Sequence, residues 1–489
     1  MSRSFVSRSL TLLIAWMALT GITAGVAAAG QADSWQEQHD LLVKRLRNLQ
    51  DKAGEFGESY RPIYQAALPW YERWGGINRD PVDSWMVSPE KYADDLADAL
   101  EKGMNFVAEN PGAQIPLVFE TTLPGGEKIS VKYWLKLPAG FPSRSAHFPL
   151  IIGLHGSGWL GHKISFVRGG GGSGPCFEVT PINEGGSWRI DFLNVFLDRL
   201  LATLPIDADR VYVEGHSLGG IATWEWATKN PERLAAISPR AGAWYPFEAS
   251  RLKQVPSWVI HGENDNVILR GFAEQMVSAL QNCGASTRLT VLRGAMHNLP
   301  DDFDNQPVVD WYLRQTRSHA PPPPDPAGAL GLNADGFSRW EFISIPAQQG
   351  WKTGPHKFHG VTAANFETGY RMAVEPLFAQ VHRLGESVDA PVRFEADLNT
   401  GESTAWLVAP NRLSKSAYSE PSLVMLPARH VVRFYCRGLP TKAFAHVHEL
   451  VREIVASGHT IANDHVWITG LVGPSDTPDF LAEYWIDIN

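Results

Sequence analysis

The segment Gly215-His216-Ser217-Leu218-Gly219-Gly220 constrains this chain most. It lies between a strand-like run, Arg210-Val-Tyr-Val-Glu, and a helical stretch over 220–229 that Asn230-Pro231 stops. A Gly-x-Ser-x-Gly turn between strand and helix puts the serine on a tight bend, where the glycines let the two elements approach. The surrounding sequence keeps the same alternation. Pro149-Leu-Ile-Ile-Gly-Leu is a continuous apolar run, as expected of a strand buried on both faces. Ile129-Ser-Val-Lys-Tyr-Trp-Leu reads as an amphipathic strand, and 234–237, 257–260 and 289–292 as further strands. Residues 192–204, 272–281 and 308–315 read as helices. Strands alternating with helices predict an α/β class fold, a doubly wound, mostly parallel sheet.

A serine hydroxyl is a weak nucleophile until a neighbouring base takes its proton. The partners follow in the order serine, acid, histidine. Asp265 closes His261-Gly-Glu-Asn-Asp after the apolar run Trp258-Val-Ile. A carboxylate there sits at the C-terminal end of a sheet strand, where open α/β sheets bind ligands. His297 lies in Gly294-Ala-Met-His, again after a strand. Ser217 is thus the expected nucleophile, His297 the base and Asp265 the acid that orients it. Glu263, Asp301 and Asp302 are the alternatives for the acid, and Asp265 could instead cap the following helix. His155, His216 and His261 read as structural or pocket-lining. Leu154-His-Gly-Ser-Gly follows a strand and can present the Ser157 N–H to a developing oxyanion, with the Leu218 N–H as second donor. Gly158 and Trp159 are the alternatives to Ser157. Gly169-Gly-Gly-Gly-Ser-Gly lacks the Gly-Lys-Ser/Thr ending of a phosphate loop and reads as a flexible loop. No histidine or carboxylate cluster has metal-ligand spacing, and no cofactor is expected.

These stretches, with Asn230-Pro-Glu-Arg-Leu-Ala-Ala-Ile, make residues 110–316 resemble the α/β-hydrolase superfamily. The similarity is to the branch of secreted esterases and peptidases related to dienelactone hydrolase, feruloyl esterase and polyhydroxybutyrate depolymerase. The resemblance implies that the catalytic roles fall on Ser217, Asp265 and His297, with the amides of Ser157 and Leu218 as oxyanion donors. Val267-Ile-Leu stands where relatives often have Val-Val-Pro. The expected substrate is a small carboxylic ester. A serine peptidase of the same fold, and a ligand sensor with an inert hydrolase domain, are the competing readings.

A chain of 489 residues leaves room for more than one domain. Arg3 and Arg8, an apolar run over 10–19 and Val26-Ala-Ala-Ala have the pattern of a secretory leader cleaved near Ala29, with an uncleaved anchor as alternative. The mature protein is then expected in the periplasm or medium, without stable membrane insertion. Residues 30–110 read as a helical extension, with Leu41, Leu42, Leu46 and Leu49 on one face and Ser88-Pro-Glu opening a second helix. The α/β domain is expected over 111–318. A proline-rich linker, Ala320-Pro-Pro-Pro-Pro-Asp-Pro, marks 319–336. Beyond it Phe342-Ile-Ser-Ile-Pro-Ala recurs as Leu423-Val-Met-Leu-Pro-Ala, and each copy leads through a second strand and a helix to a closing strand. Residues 337–489 therefore read as a pseudo-symmetric α+β domain. It resembles the gyrase-inhibitor-like effector-binding domains, on these repeats and on Phe480-Leu-Ala-Glu-Tyr-Trp-Ile-Asp-Ile. That resemblance implies a second small ligand, cationic or aromatic, with Glu483 facing it. A net charge of −9 without a basic patch argues against a nucleic-acid partner. Cys176, Cys283 and Cys436 fit no zinc spacing; one disulfide or three isolated thiols are the two readings.

Overall fold

The computed structural model describes residues 27–74, 89–110, 112, 114–142, 146–157, 174–183, 185–300, 303–319, 330–353, 356–357, 372–383, 388, 392–399, 402–408, 422–472 and 480–489. The expected leader up to residue 26, Gly158 and Trp159, the glycine-rich run over 169–173, Asp301 and Asp302, and the linker over 320–329 lie outside these residues.

Among the described residues, four helices of five or more residues come first: α1 (Ala27–Arg47), α2 (Arg61–Ala67), α3 (Trp70–Trp74) and α4 (Pro89–Glu101). Their apolar faces meet each other, and Trp70 reaches the sheet, with its ring 6.4 Å from that of Trp134. Arg45 of α1 clips α4 from outside, with Nε 2.7 Å from Glu101. The apolar stripe of α1 differs by one position from the expected one. Val43, Leu46 and Leu49 are buried, while Leu41 is 68% exposed. At 3.6 residues per turn, residues 39, 43 and 46 share a face that Leu41 cannot join.

The first sheet has strands β1 (Gln114–Thr122), β2 (Lys128–Lys136), β3 (Phe148–Leu154), β4 (Phe177–Pro181), β5 (Ile206–His216), β6 (Ala236–Arg240), β7 (Ser257–Gly262) and β8 (Thr287–Leu292). Their order is β1-β2-β4-β3-β5-β6-β7-β8. Only β2 runs against the others. Helices α5 (Ile190–Thr203), α6 (Leu218–Lys229), α7 (Gly271–Asn282) and α8 (Gln306–Tyr312) supply its cover. Successive strand residues point to opposite faces. Ile152, Val213, Ile237 and Val259 therefore share one core with Phe196, Trp224 and Met276 of α5, α6 and α7. Ile151, Tyr212, Ala236 and Ile260 pack on the other face, against Val308, Val309 and Tyr312 of α8. Cover on both faces explains the unbroken apolar runs. This is the expected doubly wound, mostly parallel sheet.

The second sheet is antiparallel throughout. It contains β9 (Glu341–Ile345), β10 (Gln348–Lys352), β11 (His356–Lys357), β12 (Arg393–Asp397), β13 (Glu402–Val408), β14 (Ser422–Leu426), β15 (Arg429–Arg437), β16 (Ile461–Val472) and β17 (Leu481–Ile488). Helix α9 (Met372–Arg383) lies in the first half and α10 (Pro440–Ala456) in the second. The order β14-β10-β13-β12-β16-β17-β15-β9 maps onto itself when the halves are exchanged. Each half thus lends its first strand to the far edge of the other. The expected strand-strand-helix-strand unit gains a strand in each half, β12 and β16.

The two sheets touch through α7 and α9. Phe272 and Phe378 meet edge to face at 5.0 Å. The buried carboxylate of Glu274 accepts from His382 Nε2 and from the Val388 N–H, both at 2.9 Å. The three cysteines are free thiols, Cys176 and Cys436 buried and Cys283 half-buried.

Candidate active site

Ser217 stands between the end of β5 and the start of α6 with φ 56° and ψ −119°. A non-glycine residue held there stores strain, as functional turns often do. The motif's glycines make the bend fit. A Cβ on Gly219 would lie 1.9 Å from the Leu154 carbonyl oxygen, so only glycine lets α6 come this close to β3.

The structure brings Ser217, His297 and Asp265 together at the C-terminal ends of β5, β8 and β7. Ser217 Oγ lies 2.8 Å from His297 Nε2. His297 Nδ1 lies 2.9 and 3.0 Å from the two Asp265 oxygens. An N–H on Nδ1 then donates to the carboxylate and leaves Nε2 free to accept from the serine. Asp265 is fully buried, His297 largely so. Asp265 Oδ1 also accepts the N–H groups of Val267 and Ile268, each at 2.9 Å. Burial alone would raise the Asp265 carboxyl; hydrogen bonds from His261 and His297 outweigh it and hold the group well below the usual carboxylate range. Of the alternative acids, Glu263 is turned away and accepts from the Gly294 N–H at 2.7 Å.

Leu218 is the first residue of α6, where backbone N–H groups have no partner within the helix. Gly156 passes beside Ser217: a Cβ on it would lie 3.2 Å from Ser217 Cβ. Ser157 follows at once and is exposed. Glu483 sits elsewhere, on β17 of the second sheet.

The neighbouring histidines are structural, each in a definite way. His155 accepts the Asn183 N–H on Nε2 at 2.9 Å, and its Nδ1 lies 2.8 Å from the Gly156 carbonyl. His216 donates to the His297 carbonyl at 2.8 Å, and burial pushes its imidazole down to about 4. His261 donates to the Ile268 carbonyl at 2.7 Å and lies 3.2 Å from Asp265 Oδ2. Asp265 therefore holds two histidines, which the sequence reading did not foresee. It also missed a fully buried ion pair, Arg240 on β6 with Glu214 on β5, at 2.7 Å. The Arg240 carbonyl accepts the Ser217 N–H at 3.0 Å, which ties this pair to the bend. Opposite charges in two adjacent apolar strands were the available signal.

Residues 189–304, which include all three relay residues, match the phospholipase/carboxylesterase family. A bifunctional acetylxylan esterase/xylanase of Neocallimastix patriciarum is 27% identical over 226 residues, 40% of this chain and 31% of that protein. A poly(3-hydroxyalkanoate) depolymerase C of Paucimonas lemoignei is 33% identical over 135 residues, 23% of this chain and 32% of that protein. The chain thus spans about a third of the length of these curated relatives. Among solved structures, a thermostable esterase is 26% identical with a TM-score of 0.35, over 41% of this chain and 63% of that one. A ferulic acid esterase is 16% identical with a TM-score of 0.31, over 38% and 92%. By its strand order and by the family match within it, the part of the chain built on the first sheet has the α/β-hydrolase fold.

Proposed function

We propose that the chain is an exported serine hydrolase that cleaves carboxylic esters through a covalent acyl-enzyme. The observation that carries this reading is the unbroken relay from Ser217 Oγ through the His297 ring to a buried Asp265, at 2.8 and 2.9 Å. Such a relay supplies what a hydroxyl nucleophile needs. His297 Nε2 takes the Ser217 proton as Oγ attacks the carbonyl carbon. The electron pair of the C=O bond moves to oxygen, where the N–H groups of Leu218 and Ser157 meet it. Collapse breaks the bond to the alcohol oxygen, which leaves with the proton from His297. Water then attacks the acyl-serine, His297 takes and returns its proton, and the acid and free serine result. Asp265 keeps the imidazole turned and stabilises the imidazolium. The names of both curated relatives, an acetylxylan esterase and a poly(3-hydroxyalkanoate) depolymerase, favour an ester over an amide. The leader pattern supports work outside the cytosol, after cleavage near Ala29.

A panel of p-nitrophenyl esters set against aminoacyl anilides tests the reaction. Esters should turn over, and Ser217→Ala or His297→Ala should lower kcat by roughly 10⁴ or more. Anilide cleavage without ester turnover would make the chain a peptidase. A wild type that no fluorophosphonate labels would leave only the sensor reading. N-terminal sequencing of protein recovered from periplasm or medium tests the export.

A further inference from the structure

One face of the second sheet packs on α9 and α10. The opposite face has a floor of Trp406, Trp467, Trp485 and Val431, all buried. Two guanidinium groups lie on it. Arg393 stacks on Trp485 at 3.7 Å from the ring centroid, and Arg429 on Trp467 at 4.3 Å. The pairing register explains their nearness, since Arg393 stands opposite Trp406 and Trp467 opposite Trp485.

The acids of this face are engaged already. Glu483 accepts from Trp485 Nε1 at 2.6 Å and lies 3.6 Å from Arg433. Asp487 accepts from Trp467 Nε1 at 3.0 Å and pairs with Arg429 Nη1 at 3.1 Å. Glu395 holds Lys352 and His465. What remains is a set of donors. Arg393 Nη1, Arg429 Nε and Nη2, and Trp406 Nε1 are buried and meet no acceptor among the described residues. Burial pushes the Arg393 guanidinium down to about 10, with Glu483 opposing and Arg429 adding to the shift. Cationic donors taken out of water without an acceptor are costly, and native structures seldom leave several together.

We propose that this face binds an organic carboxylate with a flat apolar body, its oxygens taken by Arg393 and Arg429 and its body laid against the tryptophans. A carboxylate offers two coplanar oxygens to the guanidinium fork. A single negative charge matches Arg393, whereas Asp487 already offsets part of Arg429; a dianion such as phosphate would crowd Glu483 and Asp487. The resemblance to effector-binding domains implies a cationic or aromatic ligand facing Glu483, but here the free donors ask for an anion. Carboxylates are also what ester hydrolysis releases, although the site stands whether or not the first sheet hydrolyses anything.

Benzoate is the probe, with benzamide, benzamidine and inorganic phosphate as its neutral, cationic and dianionic counterparts, titrated into the full chain. Benzoate should quench indole fluorescence saturably and raise the melting temperature, while the other three do neither. Arg393→Gln should weaken benzoate by about tenfold or more, as loss of a buried charge-assisted bond implies. Because it removes an uncompensated buried charge, it should leave the ligand-free melting temperature unchanged or higher. Hydrolysis of p-nitrophenyl acetate should persist in Arg393→Gln, which separates this site from the hydrolytic one. Absence of benzoate binding, binding that survives both Arg393→Gln and Arg429→Gln, or a preference for phosphate or benzamidine overturns the proposal. Should Arg429→Gln not fold, Arg393→Gln decides alone, since Arg393 has no ion pair to lose among the described residues.

Discussion

Asp265 shows how one side chain serves two neighbours. The carboxylate is buried, yet four donors from His261, His297, Val267 and Ile268 keep it ionised. Asp265→Asn keeps the shape but presents an N–H or a neutral oxygen to His297 Nδ1, which favours the tautomer that cannot accept the serine proton. We expect kcat for p-nitrophenyl acetate to fall by roughly 10⁴. A loss below tenfold would mean that His297 is oriented by something else. His216 makes a second prediction. Burial holds its imidazole near 4, below the ordinary value of about 6.5, so the unfolded chain binds the proton more readily. Its contribution to stability is complete above about pH 6.5 and is lost as the pH falls toward 4. Melting temperatures should drop across that window, and His216→Gln, which keeps a donor for the His297 carbonyl, should flatten the drop. An unchanged acid limb in that variant would place the titration elsewhere.

Glu214 and Arg240 join β5 to β6 beneath the bend, so their effect belongs to the elements. Both side chains are fully buried, and Asn305 accepts a further bond from Arg240 at 2.8 Å. Removing one partner leaves a buried charge uncompensated, at a cost of about 3–5 kcal/mol. Glu214→Leu alone should destabilise by that order in urea unfolding, and the double change Glu214→Leu/Arg240→Met by clearly less. A double loss equal to the sum of the two single losses would show that the pair is not coupled. The strands that hold this pair were legible because both of their faces are apolar, as in β3 and β5. β6 was displaced: the expected strand over 234–237 is found at Ala236–Arg240, since Ser238-Pro-Arg looks unlike a strand until a buried partner is known. β12 and β16 were missed for a related reason. Arg393, Glu395 and Asp397 alternate with buried Phe394 and Ala396, and the charges mask a strand whose outer face is itself largely covered. That Ser217, His297 and Asp265 meet was legible because each follows a strand in a fixed order. The second histidine on Asp265 and the Glu214–Arg240 pair were not, because contacts across strands depend on register, which local patterning leaves open.

At the scale of the whole molecule, the second sheet is tied to the first by packing as well as by the linker. A Cβ on Gly271 at the start of α7 would lie 2.7 Å from the Phe378 ring, so α9 sits directly on that helix end. Phe247 packs beside Phe480 at 6.1 Å, and Glu274 accepts from α9 and from the Val388 N–H beyond it. None of these residues touches Ser217, Asp265 or His297 in the contacts described, and all the strands that carry the relay precede residue 320. A chain ending at 319 should therefore keep its labelling by fluorophosphonate. It should be less stable, because Phe272 and Phe247 lose their cover and Glu274 loses His382 while staying partly enclosed by α7. With about 3–5 kcal/mol for a buried partner removed, and 2–4 °C per kcal/mol at this domain size, the melting temperature should fall by on the order of 10 °C. Glu274→Gln in the full chain separates the two contributions. It keeps an acceptor for the Val388 N–H but loses the charge that meets His382, so it should account for only part of the fall. If the truncated chain is folded by circular dichroism yet takes no label, the second sheet helps assemble the relay, and the two parts are one catalytic unit.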